Sequence, residues 1–393
     1  MSTLRRIMTA VLGATSALLL VASVESPGQA ATNGPPLQVT TVVSGLEHPW
    51  DIAFLPNGDM LYTQRDRETM TLRTPGGVET TVMQNLARLW HGGETGLMSV
   101  ELASDFATTR DFITCHGYKD ATTQDVRVVR WHLGTDNTVT WVRNLITGLP
   151  STSGRHGGCS LQKGGGQVLY VGTGDAATGT NAQNLASGGG KVLRVDSRTG
   201  AGWNGDGQKN PFLSSKNAMT RRIWSYGHRN VQGLAKRIDT RMWSIEQGSY
   251  RDDEVNLLQR GGNAGWNPVR KTPSDPIYNE SVPMTDHSLP GAQYDAKWHS
   301  GDPTLATSAG TFVNGAQWGA FNGALAVSVL KDQRLVFLRF KADGTYITGS
   351  RKDTLVGTYG RIRAAVQGPG GALYITTSNG SNDRILKVTP VAG

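Results

Sequence analysis

Six times along the chain one short unit recurs: an apolar strand, a turn rich in Gly, Asn or Asp, and a second apolar strand that breaks into a polar loop. The first copy reads Ile52-Ala53-Phe54-Leu55, Pro56-Asn57-Gly58-Asp59, Met60-Leu61-Tyr62. The third runs from Gly158-Cys159-Ser160-Leu161 through Lys163-Gly164-Gly165-Gly166 to Val168-Leu169-Tyr170-Val171. The sixth pairs Ala364-Ala365-Val366 with Ala372-Leu373-Tyr374-Ile375 across Gly368-Pro369-Gly370-Gly371, and weaker copies lie at residues 96–115, 233–245 and 310–329. A repeat of about 50–60 residues made of short strands cannot bury its apolar faces alone; radial stacking of the copies does. The expectation is an all-β, six-bladed propeller of four-stranded antiparallel blades. Third strands are expected at 70–73, 126–133, 191–195, 255–258, 335–340 and 384–388, and helical periodicity is absent.

Residues 1–30 stand apart from this pattern. Arg5-Arg6 precedes an apolar run from Ile7 to Val24, and Gly28-Gln29-Ala30 offers small residues for cleavage before Ala31. That is the build of a secretory signal, so an exported catalytic domain over 31–393 is expected, with no later stretch apolar enough to span a bilayer. The formal charge of +8 becomes +7 once Arg5, Arg6 and Glu25 are removed. The basic residues are dispersed, with no Lys/Arg block of the kind that grips nucleic acid, which leaves a solvated surface or a local anionic ligand as their purpose. Only Cys115 and Cys159 are present; in an oxidising compartment they form one disulfide or remain two buried thiols.

The repeat also sorts the loops. In a propeller blade the loop leading into the innermost strand and the loop leaving the second strand open on one face. By that rule Trp50-Asp51, Glu94, Arg155-His156-Gly157-Gly158, His228-Arg229-Asn230, Arg361 and Arg363 join Arg65, Asp175, Gln247-Gly248 and Lys331 around one channel mouth. A concave mouth lined by convergent polar groups is where a site is expected. The Pro- and Asp-rich segment 271–303 reads as an insertion between the fourth and fifth blades, and 196–222, with Trp203, Asn204 and Asp206, as a second long loop.

His156 is the candidate base: it is flanked by glycines that let a ligand approach, its unperturbed pKa near 6.5 suits proton abstraction, and Asp175 lies one hairpin away to orient it. Arg229, Lys331, Arg361 and Arg363 gather four cations at the mouth, which fits either internal ion pairs with Glu94, Asp175 and Glu246 or a polyanionic ligand. Glu246-Gln247-Gly248-Ser249 followed by Asp252-Asp253-Glu254 is an oxygen-rich stretch of the sort that takes Ca²⁺, without EF-hand spacing. Trp90, Trp203, Trp266, Trp298 and Trp318 are candidates for stacking on sugar rings or for packing. No P-loop, dinucleotide fingerprint or zinc spacing is present, which argues against nucleotide cofactors.

Gly-His-Arg-Asn-Val-Gln-Gly-Leu at 227–234, Glu-Gln-Gly-Ser-Tyr-Arg-Asp-Asp-Glu-Val-Asn at 246–256 and Gly-Gly-Asn-Ala-Gly-Trp at 261–266 resemble the soluble pyrroloquinoline-quinone-dependent sugar dehydrogenases. So do Leu46-Glu47-His48-Pro49-Trp50, Arg155-His156-Gly157-Gly158, Gly172-Thr173-Gly174-Asp175 and Gly360-Arg361-Ile362-Arg363, in order along nearly the whole chain. The resemblance implies a six-bladed propeller that oxidises the C1 hydroxyl of aldoses to lactones and passes electrons to an external acceptor. It implies that His156 takes the hydroxyl proton with Asp175 behind it, and that Arg229 stabilises charge on the quinone oxygen. Glu94, Asn230 and Gln247 would help hold pyrroloquinoline quinone, Lys331, Arg361 and Arg363 would pair with its carboxylates, and the carbonyls of Gly248 and Ser249 would bind Ca²⁺. Glu94 stands where some members carry Gln, Ser249 where many carry Pro, and Arg155 where the glucose-oxidising branch has an acidic residue. The chain is thus closer to the broad-specificity aldose branch. A Ca²⁺-dependent propeller lactonase and a non-catalytic carbohydrate- or protein-binding propeller are the alternatives.

Overall fold

The computed structural model describes residues 34–205 and 207–391; the expected export signal at 1–30, with its cleavage point at Ala30-Ala31, lies outside them, as does Asp206. Six four-stranded antiparallel sheets make the six expected blades. Their innermost strands are Pro49–Phe54, Leu97–Leu102, Cys159–Lys163, Val231–Lys236, Thr307–Phe312 and Ile362–Gln367. Each blade is covered on both faces by its neighbours, so its middle strands are buried throughout and mostly apolar rather than alternating: every residue of Met60–Gln64, Val168–Thr173 and Leu325–Val329 is buried. Helix is confined, among the described residues, to short pieces such as Phe106–Thr109 and Ala218–Arg222. No helix among them is long and apolar enough to cross a membrane.

The first five blades are built from consecutive strands. The sixth is not: Ile362–Gln367, Leu373–Thr377 and Asp383–Pro390 take their outermost strand, Leu37–Leu46, from the other end of the chain. Leu37 pairs with Pro390 and Leu46 with Asp383. This pairing puts the two ends of the described chain in one sheet and locks the ring. The buried Asp383 carboxylate seals the seam, accepting from the His48 N–H at 3.1 Å, Asn379 N–H at 2.7 Å and Thr377 hydroxyl at 2.6 Å.

Two sequence readings are refined. Cys115, on the second strand of the second blade, and Cys159, opening the third blade, form a disulfide with Cα atoms 6.1 Å apart. The long irregular segment does not separate blades four and five: the outermost strand of blade four is Trp298–His299, so the insertion lies inside that blade, after Glu254–Leu257. A two-residue strand carries too little periodicity to be read from sequence.

Candidate active site

His156 sits where its loop folds sharply, with φ of 49°, a left-handed conformation that non-glycine residues seldom adopt and that concentrates at functional sites. Its neighbours explain the approach: a Cβ on Gly157 would lie 2.0 Å from Thr95 Oγ1, and one on Gly174 2.0 Å from the His156 carbonyl. The side chain is 4 % exposed. His156 Nδ1 is 2.9 Å from Asp175 Oδ1, which also accepts the Ala177 N–H at 2.8 Å. Asp175 Oδ2 accepts the Trp266 indole N–H at 2.8 Å and the Tyr278 hydroxyl at 2.6 Å. Burial and the Asp175 charge push the Tyr278 phenol far up, so it stays protonated and donates. Surrounded by donors, Asp175 is a pure acceptor and fixes the proton on His156 Nδ1. Nε2 is left as the basic nitrogen, facing the mouth.

Arg229 is linked to it through Glu280. Its backbone N–H goes to Glu246 Oε2 at 3.0 Å, its Nη1 to the Gln247 carbonyl at 3.0 Å and its Nη2 to Glu280 Oε1, while its Nε is buried without a partner. Glu280 also pairs with Arg155 at 2.6 Å and stands 3.8 Å from His156 Nε2. Burial alone would raise the Glu280 carboxyl, but the hydrogen bond and charge of Arg229, with Arg155 behind it, hold it below the usual range. Tyr278 and Glu280 come from the blade-four insertion and are absent from the sequence reading. The composition of that loop signals only irregularity, and what brings it over His156 is tertiary: the Tyr278 hydroxyl on Asp175 Oδ2 at 2.6 Å and Glu280 on Arg229.

Glu94 is spent inside the protein. One oxygen accepts the His156 N–H at 3.1 Å; the other accepts Asn230 Nδ2 at 2.8 Å and Gln232 Nε2. It therefore braces the loops of three blades, while Asn230 Oδ1 remains buried without a partner. Gln247 joins through its backbone, its N–H on the Asn230 carbonyl at 3.1 Å. Arg363 lies lower than expected: it is 4 % exposed, its guanidinium carbon 3.1 Å above the Trp50 ring and its Nη2 on Gln232 Oε1. Burial pushes its pKa well down, with Glu94 opposing. Arg363 and Trp50 floor the mouth, and both line the channel cavity of about 260 Å³ beneath it. Lys331 and Arg361 are exposed on the rim, and among the described residues neither side chain meets an ion-pair partner.

The acidic run after Gly248 is turned inward. Asp253 accepts the Gly248 N–H at 3.0 Å, the Thr304 hydroxyl at 2.7 Å and the Leu305 N–H at 2.7 Å. Burial, then the Glu246 charge, push the Glu254 carboxyl well up. These side chains shape the turn at Gly248 and Ser249 and leave any cation there to main-chain oxygens. The described residues whose carboxylate and imidazole atoms do converge, within 4.8 Å, are Glu47, His48 and Asp66 on the first blade, where His48 is already paired with Asp66 at 2.7 Å. Trp298 and Trp318 are buried and serve packing, while buried Trp266 both packs and donates to Asp175.

A family profile described as glucose/sorbosone dehydrogenase matches residues 46–387. The chain belongs to the glucose/sorbosone dehydrogenase family. It is 29 % identical over 365 residues to the aldose sugar dehydrogenase YliI of Escherichia coli, covering 90 % of this chain and 93 % of that one. Among solved structures it resembles a glucose dehydrogenase-type oxidoreductase of Thermus thermophilus, at 32 % identity and a TM-score of 0.74, covering 90 % of this chain and all (100 %) of that one. It also resembles the PQQ-bound aldose sugar dehydrogenase of Streptomyces coelicolor, at 26 % identity and 0.71, covering 90 % and 99 %. As a member of the glucose/sorbosone dehydrogenase family the protein is a sugar oxidoreductase.

Proposed function

We propose that this dehydrogenase is an exported quinoprotein that oxidises the C1 hydroxyl of aldoses to lactones, using pyrroloquinoline quinone and Ca²⁺ and an external electron acceptor. The observation that carries the reading is the orientation of His156: Nδ1 is held by Asp175 at 2.9 Å, which leaves Nε2, 3.8 Å from the Glu280 carboxylate that Arg229 also binds, as the nitrogen to accept a proton.

The residues present fit the cofactor. Buried Arg229 Nε lacks an acceptor and buried Asn230 Oδ1 lacks a donor, and the rim cations Lys331 and Arg361 have no ion-pair partner among the described residues. An anionic group with several acceptors would meet Arg229 and the two rim cations, and an N–H on the same group would meet Asn230. Arg229, Asn230, Gln247, Lys331 and Arg361 would hold it, the carbonyls of Gly248 and Ser249 would hold Ca²⁺, and Glu94 and Arg363 would act from below by fixing Asn230 and Gln232. When bound, the quinone would supply the two-electron acceptor and the ion the Lewis acid that sharpens it.

The protein's own part follows from its geometry. His156 Nε2 takes the proton from the C1 hydroxyl as the C–H bond gives up its hydride, and Asp175 stabilises the imidazolium that results. Arg229 offers fixed positive charge where negative charge develops, in a pocket whose buried walls strengthen it. The hydrolase alternative needs carboxylates free to present an open cation, whereas Glu94, Asp175 and Glu246 all accept hydrogen bonds from the protein itself. A binding-only propeller has no use for a tautomer-locked histidine. Export is supported by the Arg5-Arg6 and apolar opening of the sequence and by the Cys115–Cys159 disulfide.

Purified apoprotein loaded with the quinone and Ca²⁺ should bleach a redox dye in the presence of glucose or xylose. His156→Ala should lower kcat about 10²–10⁴-fold. Failure of the loaded protein to oxidise any aldose would overturn the reading.

A further inference from the structure

Glu280 stands closer to the reacting position than its absence from the sequence motifs suggests. With Nδ1 of His156 held by Asp175, any hydroxyl that gives up its proton must sit within about 2.8 Å of Nε2. Glu280 Oε1 lies 3.8 Å from that nitrogen and is bonded to Arg229 Nη2. An oxygen in contact with both Nε2 and the Arg229 guanidinium is therefore in contact with Glu280 as well. The carboxylate cannot easily swing aside, because its other oxygen is tied to Arg155 Nη2 at 2.6 Å. Its loop is pinned by Asn279 N–H to the Pro268 carbonyl at 2.8 Å and Ser281 N–H to Asn279 Oδ1 at 3.0 Å.

We propose that Glu280 is a specificity-determining residue of the substrate pocket, a fixed negative charge beside the reacting oxygen that tunes the pocket to neutral sugars and against sugar acids. This rests on the dehydrogenase reading above. The charge count makes the point. Arg155 and Arg229 face the pocket together, and without Glu280 they would form a fork well suited to the carboxylate of a uronic acid. Glu280 fills that fork. It offers acceptors to sugar hydroxyls and meets a substrate carboxylate with like charge, the repulsive element that specificity requires. Its two arginine partners keep it ionised.

The test compares D-glucuronate with D-glucose in the wild type, in Glu280→Gln and in Glu280→Gln combined with Arg155→Gln. Two readouts are needed: binding to the quinone-free protein by saturation-transfer NMR, and kcat/KM of the loaded enzyme. Glu280→Gln should raise the glucuronate-to-glucose ratio about tenfold or more in both. The added Arg155→Gln should erase the gain. A ratio within about twofold of wild type in a folded Glu280→Gln protein overturns the proposal. Should that variant not fold, Arg155→Gln alone decides: it should weaken glucuronate relative to glucose, and an unchanged ratio overturns the proposal. If the loaded wild type oxidises no aldose, the dehydrogenase reading falls, yet the quinone-free titration still reports whether Glu280 sets charge preference.

Discussion

The Tyr278 hydroxyl donates to Asp175 Oδ2 at 2.6 Å, and this bond ties the blade-four insertion to the blade-three loop that carries His156, the proposed base. Tyr278→Phe removes one donor from a buried carboxylate and leaves the ring stack on His156 at 5.7 Å. The expected result is a loss of about 1–2 kcal/mol in urea unfolding and a several-fold fall in kcat with KM little changed. Asp175→Asn goes further. An amide no longer specifies the Nδ1–H tautomer, so kcat/KM should fall about 10²–10⁴-fold while the melting temperature moves by only a few degrees.

Lys191 is a buried ammonium that the proposed chemistry does not use. Its Nζ donates to the carbonyls of Asn181 at 2.7 Å, Ala182 at 2.9 Å and Gly189 at 2.7 Å, gathering the loop that follows Asp175. Asn181 Nδ2 in turn donates to the Asp175 carbonyl at 2.9 Å. Lys191→Met would take a donor from all three carbonyls, of which Asn181 and Ala182 keep the Asn184 and Gly227 N–H groups, and should cost about 1–3 kcal/mol of stability. Loss of amide-exchange protection should concentrate in residues 176–190. A uniform loss across the ring would contradict this role.

Asp51 supplies a pH signature. Burial raises its carboxyl from 3.8 to about 6, although the Ser99 hydroxyl and the Ile52 and Val100 N–H groups oppose the rise. The folded protein then holds a proton that the unfolded chain has released. Its contribution to stability is greatest below the unfolded pKa, declines as pH climbs from 3.8 to about 6, and is flat above that. Urea midpoints measured across this range should show the wild type losing ground to Asp51→Asn as pH rises. A difference that does not vary with pH would sink the assignment.

The Cys115–Cys159 bridge closes a loop of 44 residues between blades two and three. Chain entropy for that loop corresponds to about 4 kcal/mol, so the Cys115→Ala, Cys159→Ala double variant should unfold at clearly lower urea than the oxidised wild type. Reductant should weaken the wild type and leave the double variant untouched.

The ring was legible from sequence because strands buried on both faces, such as Val168–Thr173, read as unbroken apolar runs separated by glycine turns. The same period placed His156, Asp175, Arg229 and Asn230 at one mouth, and the structure brings those four into a connected network. Lys331 and Arg361 reach the rim without touching it, and Arg363 drops to the floor because Trp50 and Gln232 receive it there. Periodicity could not reveal this depth, since it orders loops around an axis and says nothing of height along it. Tyr278 and Glu280 were invisible for a different reason. They belong to an insertion with no repeat partner, and only folding decides where such a loop lands. The Leu37–Leu46 strand was missed because its partner stands at the far end of the chain.

That last pairing has a consequence for the order in which the protein can mature. His48 and Asp383, bonded across the seam, are 335 residues apart, so the ring stays open until the C-terminal strand has been made. Arg361 and Arg363 are placed by that final blade. The mouth therefore gains its last cations only with the strand that closes the ring, and an anionic cofactor would find a finished pocket only after closure. Loading is thereby deferred to wherever the polypeptide closes upon itself.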